Sequence, residues 1–276
     1  MLSQLFTDIG SLWDKYSAVY LNGIANTLIL ATTATLIGCV IGFLCGILQT
    51  IPYGPNDNIV KKVLLRILRI FIRVYVEVFR GTPMILQAVF IYYGLPYFFG
   101  VSFKDIWTVS ILVVSINTGA YMAESVRGGI MSIDQGQFEG AKAIGMNHWQ
   151  TMLYIILPQT LRNIMPQIGN NYIINVKDTS VMFIIGFSDF FAVHKMVSGA
   201  VFKYFPSAFM EMGGYLCLTL LASFLLRRLE RKMAGKSNYE LVNEDQLVMT
   251  AGTYNYPKEA GSPFDEVNKD YKGEEK

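Results

Sequence analysis

Asp178 and Asn171 stand seven residues apart, about two helical turns, so a continuous helix would place the acid and the amide on one face. An acid at membrane depth is expected either to serve function or to pair with a basic neighbour, here Lys177 or another cation of the bundle. The string Arg80-Gly81-Thr82-Pro83 is the second candidate. Proline removes a backbone donor and glycine loosens the helix, so a break is expected that frees carbonyl groups. Irregular backbone at that depth belongs beside a cavity, unless neighbouring helices satisfy it as a packing kink. An acid, an amide and free carbonyls together suit a small zwitterion, which makes Gly81, Thr82, Pro83, Asn171 and Asp178 the candidate substrate-binding residues. Arg80 can attract a carboxylate, or it can neutralise Glu77 or Asp178. Glu124 and Arg127, three apart on one segment, read as a structural pair. Nothing in the chain resembles a catalytic set. His148 and His194 are isolated, with no His-Glu-x-x-His, Gly-x-Ser-x-Gly, metal-ligand or phosphate-loop motif around them. No catalytic residue and no metal ligand are expected, and any ATP hydrolysis must come from a separate protein.

The elements that carry these residues must be transmembrane helices. Of 276 residues, 52% are hydrophobic and only 16% charged, too apolar for an ordinary soluble domain of this length. A net charge of +2, with basic residues gathered beside apolar runs, argues against nucleic acid as a partner. Cys39, Cys45 and Cys217 lie within apolar stretches without CxxC pairing and read as packing residues. Segments long enough for a core of about 30 Å fall near Ile24 to Leu48, Val74 to Phe98, Ile106 to Ile130, Ile164 to Ile185 and Ala208 to Leu226, five in all. Lys61, Lys62, Arg66, Arg69 and Arg73 follow the first span, and Arg227, Arg228, Arg231 and Lys232 follow the last. Both flanks are therefore expected in the cytoplasm, with the N-terminus outside and no cleaved signal peptide. Arg66, Arg69 and Arg73 recur on one face of a helical stretch and read as an interfacial anchor. After Gly235 the composition turns polar and charged, which predicts a disordered cytoplasmic tail over 236–276.

By the same parity, the segment from Lys142 to Arg162 is cytoplasmic. Residues 135–144 predict a short helix, Gly145 a tight turn, and a second helix begins before Pro158. The order Glu139-Gly140-Ala141, three residues, Gly145, nine residues, Ile155, one residue, Leu157-Pro158 resembles the EAA loop of permease subunits of ATP-binding-cassette importers. Gly140 replaces the first alanine of that pattern, which weakens the helix by about 1 kcal/mol without removing the spacing. Phe79-Arg80-Gly81-Thr82-Pro83, Tyr92-Tyr93-Gly94-Leu95-Pro96, Ala120-Tyr121-Met122-Ala123-Glu124, Arg127-Gly128-Gly129, Gly136-Gln137, Pro158-Gln159 and Lys177-Asp178-Thr179-Ser180 resemble, in order, the polar-amino-acid branch of these permeases over roughly residues 20–230.

The resemblance implies an all-α polytopic protein with a permease domain over 1–235, including a coupling loop about 132–160, in a bacterial cell membrane. It implies that Glu139, Gly140, Ala141 and Gly145 couple the chain to an ATP-binding-cassette ATPase dimer. A second permease copy or a related permease and an extracytoplasmic amino-acid-binding protein complete the complex. No cofactor is expected on this chain, since ATP and magnesium belong to the ATPase. A selective site for arginine or lysine would want more than one carboxylate, and Asn171 supplies an amide instead, which favours a neutral polar amino acid such as glutamine. The alternatives are an ion-coupled secondary transporter, which would normally show a longer chain with internal repeats, and a non-transporting scaffold that docks a cytoplasmic protein.

Overall fold

The computed structural model describes residues 2–52 and 58–234, and every regular element among them is helical. The predicted tail over 236–276 lies outside the described residues.

Helix α1 runs over Leu2–Thr50, 49 residues, far past the predicted span, because no proline interrupts the sequence before Pro52. Its partner is α5, Ile106–Met131. Gly38, Gly42 and Gly46, one turn apart on α1, lie against Thr118, Met122 and Val126 of α5. A Cβ on Gly42 would stand 2.3 Å from the Met122 Cβ and 2.8 Å from its carbonyl carbon, so the backbones meet where only glycine fits. Lipid tails are as apolar as leucine, so close van der Waals contact must hold helices together in a membrane. This stripe makes α1 and α5 the spine of the bundle.

Helix α2, Ile59–Gly81, is capped by Asn58, whose side chain accepts the Val60 N–H at 3.0 Å. The predicted second span, Val74 to Phe98, is not one helix. Thr82 and Pro83 are extended, and the chain restarts as α3 over Met84–Val89, a π-helical turn over Phe90–Gly94, and α4 over Leu95–Phe99. The residue before a proline is driven out of the helical region, which is why α2 ends there. Arg69 and Arg73, with Glu77 and Arg80, line a cavity of about 320 Å³ shared with Gln49, Glu124 and Arg127.

Helices α6, Gln135–Ala143, and α7, His148–Thr151, follow α5. A π turn over Met152–Ile156 leads into α8, Leu157–Asp178, which tightens into a 3-10 turn over Thr179–Ile185. Helices α9, Phe190–Val201, and α10, Tyr204–Ala234, complete the order. Among the described residues α1, α5 and α10 are each long and apolar enough to cross a membrane. His148–Ile185 with Phe190–Val201, bent by 54°, counts as a fourth crossing if it is one broken span, and Met84–Phe99 is a shorter apolar helix.

Two polar clusters pin the elements. Asn175 of α8 is buried, and its amide donates to Thr35 Oγ1 of α1 at 2.8 Å and to Thr118 Oγ1 of α5 at 2.9 Å. A buried amide left without partners is costly, so this pair of bonds sets the rotation of α8 against the spine. Farther along α1, Tyr20 shares a hydrogen bond of 2.8 Å with Ser207, which also meets His194 Nδ1 at 2.9 Å. That second cluster fastens α9 and α10 to the N-terminal half of α1.

Candidate functional site

The break after α2 and one face of α8 meet in a cleft of about 440 Å³. Its lining includes Gly81, Thr82, Pro83, Asn171 and Asp178, all five residues that the sequence singled out, together with Arg80, Asn117, Thr118, Tyr121 and Asn175. Helix α8 is continuous through both Asn171 and Asp178, so the spacing of seven does place them on one face. Asn171 donates to the Gln167 carbonyl at 3.0 Å and touches Met122 Sδ at 3.5 Å. Among the described residues no ion pair involves Asp178, so Lys177 beside it is not a salt-bridge partner.

The break differs from expectation in its carbonyls. Gln87 of α3 is buried, and its Nε2 donates at 2.9 Å to the Phe79 carbonyl, to the Thr82 carbonyl and to Thr82 Oγ1. Asn117 of α5 donates at 3.1 Å to the same Phe79 carbonyl and to Gln87 Oε1. Thr82 Oγ1 in turn donates to the Val78 carbonyl at 2.8 Å. The carbonyl that Pro83 releases, that of Phe79, and the carbonyl of the extended Thr82 are therefore already satisfied, because an unmet carbonyl away from water is expensive. The break works as a rigid shape in the cleft wall, held by a Gln–Asn pair that sequence reasoning missed. The available signal was two amides, Gln87 and Asn117, inside apolar segments.

Arg80 ion-pairs with Glu124 of α5, and its guanidinium lies 5.3 Å from the centre of the Tyr121 ring. The sequence left Arg80 open and paired Glu124 with Arg127. In the structure Glu124 reaches across to α2, and Arg127 contacts Met131 Sδ at 3.5 Å. The i, i+3 spacing permits a pair along one helix, but the guanidinium of Arg80 arrives on the same side and wins the carboxylate. Beyond the cleft, Arg80, Tyr121, Asn171 and Ile174 also border a second cavity of about 620 Å³, lined further by Asn163, Gln167 and Asn170.

The helix–turn–helix predicted after α5 is present. Asp134 caps α6 through the Gly136 N–H at 2.6 Å, and Gly145 turns with φ of +79°, a left-handed conformation that side chains with a Cβ resist. Asn147 and Gln150 form a reciprocal capping box that starts α7. Ala141 is buried, whereas Glu139, Gly140 and Gly145 are exposed. Ile144 and Trp149, 76% and 59% exposed, flank the turn as an uncovered apolar pair. A cavity of about 530 Å³ joins Glu139, Lys142 and His148 to Arg127 at the foot of α5.

Comparison with known proteins meets this geometry from the outside. Residues 59–235 match the family described as the inner membrane component of binding-protein-dependent transport systems. The glutamine transport system permease protein GlnP of Escherichia coli K12 is 35% identical over 226 residues, 82% of this chain and 97% of that one. The putative glutamine transport system permease protein GlnP of Rickettsia felis is 35% identical over 76% of this chain and 91% of its own. Among solved structures, an amino acid ABC transporter crystallised with histidines superposes with a TM-score of 0.69 at 32% identity, over 79% of this chain and 95% of that one. The MetNI methionine ABC transporter, in an inward-facing form, shares the fold with a TM-score of 0.64 at 20% identity, over 79% of this chain and 98% of that one. An all-helical bundle broken at Pro83, an EAA-like helical hairpin after α5 and these likenesses agree: the chain belongs to the family of inner-membrane permease components of binding-protein-dependent transport systems.

Proposed function

We propose that this chain forms the translocation pathway of an ATP-driven importer for a polar amino acid, glutamine or another neutral one favoured, and that the cleft between α2, α5 and α8 is where the substrate passes. The observation that carries this reading is the convergence of Gly81, Thr82, Pro83, Asn171 and Asp178, distant in sequence, on one cleft. An unpaired carboxylate and an amide there match an ammonium and a neutral polar side chain. The names of the relatives, glutamine permeases among them, point to the same substrate class. The chain crosses the membrane five times in this reading, with the N-terminus outside and the tail in the cytoplasm. It pairs with a second copy or a related permease and receives substrate from an extracytoplasmic binding protein.

Helix α6 with the Gly145 turn is the coupling element in this proposal, resting in a groove of the ATPase dimer, which holds ATP and magnesium. The exposed Ile144 and Trp149 and the exposed Glu139 are the groups it offers. A short helix seated in a groove passes a rigid-body movement between subunits, and Glu139, Gly140, Ala141 and Gly145 give it charge, length and turn.

Asp178→Asn tests the pathway because it removes charge while keeping shape. A substrate-facing Asp178 predicts impaired uptake in proteoliposomes by a complex that still assembles, melts normally and keeps basal ATPase activity. Normal uptake by that stable complex would remove Asp178 from the pathway. Loss of assembly alone would assign it a structural role.

A further inference from the structure

Arg80 borders the cleft, the charged cavity and the amide-lined cavity, whereas its partner Glu124 borders the last two and not the cleft. The pair thus stands in the cleft wall with its cationic half toward the cleft and its carboxylate behind. Neither side chain is locked away: 38% of Arg80 and 47% of Glu124 remain exposed. The Tyr121 ring, itself part of the cleft lining, holds the guanidinium at that boundary.

An unpaired guanidinium at membrane depth is costly, so an empty cleft must give Arg80 an anion. Glu124 supplies one. An amino acid brings the same chemical group as its α-carboxylate, and the guanidinium fork binds either in the same way. Exchange of one carboxylate for the other therefore keeps Arg80 paired throughout. Glu124 is not stranded by that exchange, because Arg127 lies three residues on along α5 and Arg73 borders the same cavity. Among the described residues Arg127 meets only a thioether sulfur in its hydrogen bonding, a weak acceptor, and so has donors to offer.

We propose that Glu124 is an internal stand-in for the substrate's α-carboxylate: it occupies Arg80 in the empty cleft, yields it to the substrate, and turns to Arg127 and Arg73. The proposal rests on the cleft being the substrate pathway, and it adds an orientation, with carboxylate on Arg80 and ammonium toward Asp178. Because Arg127 also borders the cavity that holds Glu139, the exchange moves a charge toward the coupling segment each time substrate arrives.

The test uses the transporter assembled from this chain and its ATPase in lipid nanodiscs, with radiolabelled L-glutamine displaced by unlabelled L-glutamine or by L-glutaminamide, which lacks the carboxylate charge. The wild-type complex should prefer L-glutamine by about tenfold or more, and Arg80→Gln should reduce that preference to about threefold or less. Glu124→Gln removes the internal competitor and should tighten L-glutamine binding by about three- to tenfold. If Arg80→Gln fails to assemble, Arg80→Gln with Glu124→Gln leaves neither charge unpaired and must show the same loss of preference. Unchanged or weaker binding in Glu124→Gln, or a preference for the carboxylate that survives loss of Arg80, overturns the exchange. Asp178→Asn separates this from the underlying reading. Loss of binding in Asp178→Asn with Arg80 and Glu124 variants unaltered overturns only the exchange, whereas wild-type binding and uptake in Asp178→Asn overturns the pathway itself.

Discussion

Replacing Gln87 by leucine asks whether the broken helix at Gly81-Thr82-Pro83 is held by its side-chain amides. Leucine is close to glutamine in size and the site is buried, so the cavity contribution is small and the change acts mainly through hydrogen bonds. The Phe79 carbonyl keeps its bond from Asn117 at 3.1 Å, and Thr82 Oγ1 keeps the Val78 carbonyl at 2.8 Å. The Thr82 carbonyl loses the amide at 2.9 Å, and one N–H of Asn117 loses Gln87 Oε1. Each unmet buried group costs about 1–3 kcal/mol, so the two together cost about 2–6 kcal/mol. Thr82 borders an open cleft from which water can reach its carbonyl, which selects the lower end, about 2 kcal/mol, or about thirtyfold in the folded ratio. The melting temperature of the purified complex and uptake in proteoliposomes should both fall. Gln87→Glu should be worse at neutral pH, since it sets an acceptor against two carbonyls. Asn117→Ala combined with Gln87→Leu should cost less than the sum, because the Asn117 N–H and the Gln87 Oε1 that the single variants leave unmet are both absent from the double, and only the Phe79 carbonyl is newly unpaired. A Gln87→Leu complex with wild-type melting and uptake would refute this account of the break.

Gly42→Leu should weaken the bundle by at least about 1–3 kcal/mol, because its Cβ collides with the Met122 backbone and not with a movable side-chain end; an unchanged melting temperature would show that α1 and α5 are not packed along the glycine stripe. Gly145→Val forces a β-branched side chain into a φ of +79°, so substrate-stimulated ATPase activity and uptake should drop together, and normal coupling in that variant would sink the role given to the turn. Gly140→Ala, by contrast, meets open space and should stabilise α6 by about 1 kcal/mol with coupling intact, as read by melting and ATPase assays. A cysteine introduced at Ser262, beyond the described residues, should resist membrane-impermeant thiol reagents applied to intact cells; labelling from outside would invert the proposed topology.

The two halves of the cleft differed in how legible they were. Asn171 and Asp178 could be placed together from spacing alone, because a helix fixes the angle between residues seven apart whatever surrounds it. The turn at Gly145 and the stop at Pro83 were equally local, since each depends on what one or two residues allow the backbone to do. What stayed hidden were the pairings between segments. Glu124 has Arg127 in reach on its own helix and Arg80 in reach on another, and only the distance between α2 and α5 decides between them. The same holds for the freed carbonyls, whose fate depended on Gln87 and Asn117 arriving from two other helices. Gly38, Gly42 and Gly46 recur every fourth residue, a signal the sequence reading passed over, and such a stripe names a close approach without naming its partner. Local backbone rules thus located the site, while its electrostatics were set by which helices the glycine stripe and Asn175 bring side by side. A charge at membrane depth cannot stay alone, so knowing that Arg80 must have a partner is a sequence-level statement. That the partner is a carboxylate in the wall, chemically equivalent to the one a substrate would bring, is a statement only the packed helices can make.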